Sequence, residues 1–255
     1  MNYAFRRRRL LVVPAVLLAL SVFALPAEGH HSWGGYHWGR SGPFRVELGN
    51  NLSRFWQPYL GTSASDWSKS SVLDAVVATG RSTKTRCGPS VGRVEVCNNA
   101  YGQNQWLGIA QVWVSGSHIT QGIVKMNDTY FNMARYNTPT WRNHVMCQEV
   151  GHTFGLDHQD ESGLALGTCM DYAHDPSGSQ HPNAHDYAQL EAIYGHADSA
   201  TTVGVSSSAS ARATAQQLRE WGRAIRTEGR SGRPTLFERH LGGNQAVFTF
   251  VIWAE

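Results

Sequence analysis

The stretch Gln148-Glu149-Val150-Gly151-His152-Thr153-Phe154-Gly155-Leu156-Asp157-His158 decides how the rest of the chain is read. On a helix, Gln148 and His152 stand four residues apart and project from one face. Glu149 lies beside them. Gly155 can take the left-handed backbone that ends a helix without steric cost, so the chain can turn and bring His158 back toward His152. Three donor groups with a carboxylate at their side form the ligand pattern of a catalytic zinc site that keeps one position open for water. Thr138 is a fitting cap for the start of this helix, and Pro139 suits its first position.

Further along, Cys169-Met170-Asp171-Tyr172 follows the same stretch. Together the two segments resemble the metzincin metalloproteases, whose signature is His-Glu-x-x-His-x-x-Gly-x-x-His followed by a methionine turn. Glu149, His152, Gly155 and His158 match that spacing, while Gln148 stands where the family has its first His. The Met-x-Tyr form is similar to the astacin and serralysin branches of a superfamily that also holds the matrixins. The resemblance covers roughly residues 36–196. It implies an α+β fold: a mixed twisted β-sheet, an active-site helix, a methionine turn and a C-terminal helix. It implies a zinc ion (Zn2+) on Gln148, His152 and His158, with Met170 as an apolar floor. It makes Glu149 the general base of peptide hydrolysis, and Tyr172 a metal ligand or oxyanion donor. The alternative is a pseudopeptidase, a binding protein that keeps the architecture without activity because of Gln148.

Working outward, the chain has 255 residues, enough for one medium domain with appendages. Charged residues make up 16% and the net charge is +3, too little to argue for a nucleic-acid partner. Arg6 to Arg9 precede an apolar run from Leu10 to Leu25, with small residues at Ala24 and Ala27. That pattern is a secretory signal peptide over 1–27. It predicts a secreted protein with no stable membrane association after cleavage. A peptide or protein substrate and a monomeric state are expected.

Four cysteines in such a chain favour disulfides, and three pairings are possible. Cys87 with Cys97 is preferred because the pair brackets a Gly- and Pro-containing turn. Cys147 with Cys169 then ties the helix to the methionine turn.

Alternation of apolar and polar residues predicts strands at Phe44–Leu48, Val72–Thr79, Arg93–Asn98, Gly108–Val114 and His118–Met126. The apolar set Phe55, Trp56, Tyr59 and Leu60 reads as a helix running toward Trp67. A further helix is predicted from Asn183 to Tyr194 and stopped by Gly195. By the resemblance, His118–Met126 is the sheet edge above the cleft, and His118, Thr120 and Gly122 are substrate contacts by strand addition. Asp157, Asp160, Glu161, Asp171 and Asp175 are either solvated loop carboxylates or a structural calcium site. The histidines near the mature N-terminus, His30, His31 and His37, fit no local ligand template. The metzincin-like domain spans 28–196, a flexible Ala/Ser/Thr/Gly linker 197–214, and a small β-rich tail 215–255.

Overall fold

The computed structural model describes Met1 and residues 31–205, 218–227 and 232–255. The expected signal peptide lies outside the described residues. In chain order the elements are β1 (His37–Trp38), β2 (Phe44–Asn51), α1 (Gln57–Trp67), β3 (Leu73–Thr79), β4 (Val94–Asn99), β5 (Trp106–Ser115) and β6 (His118–Asn127). There follow α2 (Asp128–Phe131), α3 (Pro139–His152), a 3-10 turn at Pro176–Gly178, α4 (Ala184–Tyr194), β7 (Arg223–Thr227), β8 (Pro234–Gly242) and β9 (Gln245–Trp253).

All nine strands belong to one sheet, ordered β3-β2-β4-β6-β5-β9-β8-β7, with β1 paired beside β4 on the start of β6. Strands β2, β3, β4 and β6 run parallel, while β5 and the three C-terminal strands are joined by antiparallel pairings. Strand β5 is buried along almost its whole length, as its apolar run predicts. Helices α1 and α3 pack on one face, where Val46, Val96, Val112, Val124 and Phe248 join the main core. The alternate residues Cys97, Trp113, Ile123 and Val247 point the other way and form a smaller cluster with Cys87 and Leu218.

Helix α3 begins as the sequence predicts. Thr138 is extended at the cap, its hydroxyl accepts from the Trp141 amide at 3.2 Å, and Pro139 takes the first position. Its C-terminal carbonyls, which lack helical partners, are met by indoles: Trp33 Nε1 donates to His152 O and Trp38 Nε1 to Thr153 O. Trp67 of α1 donates to Cys147 O at 3.1 Å. Helix α4 starts with a capping box between Asn183 and Asp186. The disulfides are Cys87–Cys97 and Cys147–Cys169.

Two expectations are corrected, and one point that the sequence left open is decided. Strand β6 is not a sheet edge: β4 and β5 flank it, so its ladder groups are already engaged. The segment after α4 is not a free linker where it is described. Asp198 N donates to Arg40 O, Thr202 N to Gly39 O and Gly204 N to Gly92 O. The C-terminal tail is not a separate appendage, because β9 pairs with β5 over nine register positions and continues the main sheet.

Candidate metal centre and active site

The bend read from the sequence at Gly155 forms. Gly155 takes φ +97°, and a Cβ there would lie 2.4 Å from Tyr36 O, so turn and close approach both demand glycine. The turn returns His158 to His152, with their Nε2 atoms 3.0 Å apart. His152 Nδ1 donates to the Leu156 carbonyl at 2.8 Å, and His158 Nδ1 lies 2.5 Å from Glu161 Oε1. A carbonyl only accepts, so the neutral His152 ring carries its lone pair on Nε2. The carboxylate beside His158 Nδ1 assigns the same tautomer to that ring. Two nitrogen lone pairs facing each other at this distance call for a cation near them.

Gln148 lies one helical turn before His152. Its Nε2 donates to Asp171 O at 2.9 Å, which fixes the amide. Its Oε1 is buried and has no hydrogen-bond partner. Glu149 is fully buried, and neither carboxylate oxygen makes a hydrogen bond of normal geometry. Burial pushes its carboxyl well above the usual range, and the Ile252 and Ala110 backbone amides only partly oppose this. Burial, and next the neighbouring His158, hold His152 well below the ordinary imidazole value, hence neutral and able to ligate.

Met170 lies under the helix, packed so closely that a Cβ on Gly151 would sit 2.6 Å from its sulfur. The Tyr172 ring is 5.5 Å from that of His158, and its hydroxyl accepts from the Trp253 amide at 2.7 Å. Burial raises the Tyr172 phenol far above its ordinary value. His144 is buried and pushed down to about 4 by desolvation, and its Nδ1 donates to Ser179 O. It therefore braces the loop after the methionine turn.

The C-terminal strand closes the site, which sequence reasoning missed. Phe250 of β9 stacks on the His152 ring at 4.1 Å with an 11° interplanar angle. Glu149 lies between Gly108 of β5 and the Ile252 amide of β9. Arg226 of β7 pairs with both oxygens of Asp157 and reaches Glu161 Oε1 at 3.4 Å, the carboxylate that orients His158. The sequence marks 215–255 as β-rich, but nothing in it names a partner strand.

The remaining predicted residues lie elsewhere. Thr120 Oγ1 donates to Trp113 O, and Gly122 packs on Val94 and Thr153, so neither faces the metal centre. His118 meets Asp198 instead. The five carboxylates do not converge on a calcium site. Arg226 holds Asp157 and Glu161, Asp160 accepts from Ser162 and Leu164, Asp171 accepts from the 166–168 loop, and Asp175 caps Ser177. His174 pairs with Glu255 and His181 with Asp66, away from the three ligands.

No family model and no curated protein matches the chain. Among solved structures it is similar to myroilysin, at a TM-score of 0.35 and 11% identity, over 63% of this chain and 96% of that one. It is also similar to high choriolytic enzyme 1, a hatching-enzyme zinc protease of the medaka Oryzias latipes. There the TM-score is 0.36 and the identity 7%, over 64% of this chain and 95% of that one. Superpositions this loose place no residue, and the reading of the site stands on this chain's own side chains. No helix among the described residues is long and apolar enough to cross a membrane.

Proposed function

We propose that this chain is a zinc-dependent hydrolase of peptide bonds whose site is closed by its own C-terminal strand. The supporting observation is the pair of facing imidazole Nε2 atoms 3.0 Å apart, on the same helix and turn as a buried Gln148 Oε1 without a partner and a fully buried Glu149. The donor set fits the ion. Two neutral imidazoles suit zinc, each has its other nitrogen held by an acceptor, and the amide oxygen adds a neutral third ligand. Gln148, His152 and His158 would hold the metal, and zinc bound there supplies Lewis acidity and an acidified water.

The chain's own residues do the rest. Glu149 accepts a proton on its carboxylate and returns it to the leaving amine, and burial raises the proton affinity of that carboxylate. Tyr172 offers a hydroxyl to the developing oxyanion once Trp253 has released it. Strand β5 presents the main-chain groups that an extended peptide would pair with, and β9 now holds them. The substrate is therefore a peptide or protein segment able to lie extended. The paired cysteines fit an oxidising, extracellular setting and a monomeric secreted protein.

A second reading, a binding protein without activity, is favoured by Gln148 and by the closure. One experiment separates the two. Zinc per chain and cleavage of an unfolded protein are measured for the wild type, Glu149→Gln and Gln148→His. The hydrolase reading expects bound zinc in all three, with cleavage lost in Glu149→Gln. Absence of zinc in the wild type together with no gain in Gln148→His would sink it.

A further inference from the structure

Away from this centre, three histidines distant in sequence meet one carboxylate. His37 lies in β1, His118 opens β6, and His196 and Asp198 follow α4. Their Nε2 atoms lie 3.3, 3.1 and 3.5 Å from the same Asp198 Oδ1. His196 Nε2 is also 3.3 Å from His37 Nε2. The ligand atoms of His37, His196 and Asp198 all fall within 4.8 Å of one another.

The groups are oriented from outside. His37 Nδ1 donates to the Gly35 carbonyl at 2.9 Å, so the neutral ring points a lone pair inward. Asp198 Oδ2 accepts from the Arg40 amide at 2.9 Å, while the Asp198 amide donates back to Arg40 O at 2.7 Å. This clip leaves Oδ1 as the oxygen facing the imidazoles.

Two physical arguments separate a metal site from a plain hydrogen-bonded cluster. Charge-assisted N–H···O contacts close to about 2.7–2.9 Å, and all three contacts here are longer. Zinc–ligand bonds of about 2.0–2.1 Å set neighbouring ligand atoms about 3.3 Å apart around a tetrahedron. The three separations among His37, His196 and Asp198, 3.3 to 3.5 Å, lie close to that edge length. Imidazole nitrogens with one carboxylate oxygen select zinc over magnesium or calcium, which prefer all-oxygen shells.

We propose that His37, His196 and Asp198 bind a second zinc ion, with His118 held against the same carboxylate. The ion would clamp the N-terminal arm and the 198–204 segment onto the start of β6. That arm carries Trp33 and Tyr36, whose rings pack on Phe248 of β9 at 4.9 Å each. The site shares no ligand with Gln148, His152 and His158, so it stands or falls independently of the hydrolase reading.

The test uses the full chain, stripped of metal, reloaded with excess zinc and dialysed. Zinc per chain is counted in the wild type, His196→Ala and Asp198→Asn. His196 is half exposed, so its truncation should spare the fold, which near-ultraviolet circular dichroism checks. Each variant is expected to hold one zinc fewer than the wild type. Zinc-edge absorption of the wild type should carry a component with nitrogen and oxygen neighbours that both variants lack. Equal zinc content in wild type and a natively folded His196→Ala would overturn the proposal and leave an Asp–His hydrogen-bond cluster.

Discussion

Gln148 shows how one residue divides metal affinity from metal chemistry. Its amide oxygen is a weaker zinc donor than imidazole, yet its other amide atom is anchored to Asp171 and cannot swing away. At the same scale, Lys125 carries a penalty. Burial, reinforced by Arg219, lowers its pKa from 10.5 to about 8. It borders a cavity of about 600 Å³ also lined by Tyr101, Arg219 and Trp253. Because the folded-state pKa lies below the unfolded one, the unfolded chain binds more protons between those two pH values. Stability therefore rises with pH across that window, by about 3 kcal/mol if the full shift is expressed. Lys125→Met should abolish this rise and stabilise the protein at neutral pH, as urea denaturation at pH 7 to 10 would show. Equal pH slopes in the two proteins would count against the assignment.

At the scale of elements, the decisive contact is β9 on β5. A strand leaves a row of unpaired amides and carbonyls at a sheet edge, and any extended chain can satisfy them. Here the chain's own strand β9 does so, beside α3. Proline removes a ladder donor and is excluded from paired strand interiors. Val251→Pro, in the position facing Ile109, should therefore loosen β9. The expected outcome is faster hydrogen exchange in β5 with increased cleavage of an unfolded substrate. Released β5 amides without any gain in cleavage would remove closure as the reason for latency. The assignment of the edge to His118–Met126 failed for a related reason. Periodicity identifies a strand and its two faces but is silent on which strands lie beside it.

At the scale of the whole molecule, the Cys147–Cys169 bridge joins helix α3 to the methionine turn across 22 positions. A loop of that length contributes about 3 kcal/mol in the chain-entropy model. For a domain of this size that corresponds to a melting shift of about 10 °C. The double substitution Cys147→Ala/Cys169→Ala should lower the melting temperature by about that amount and reduce zinc retention, since it frees the helix turn that bears Gln148. Unchanged zinc retention in the variant would mean that the metal ligands are held by packing alone.

By itself the sequence determined what depends on neighbours in the chain. The cap at Thr138, the helical spacing of Gln148 and His152, the bend at Gly155 and the alternation of the strands are all local. Each follows from backbone geometry over a few residues, and the approach of His158 to His152 was legible for that reason. Only the tertiary structure decided what depends on partners far along the chain. The pairing of β9 with β5, the place of β6 inside the sheet, and the meeting of His37, His118 and His196 at Asp198 bring together residues tens to more than a hundred positions apart. No local propensity carries that information, because sheet order and side-chain convergence are set by which apolar faces pack together to form one core.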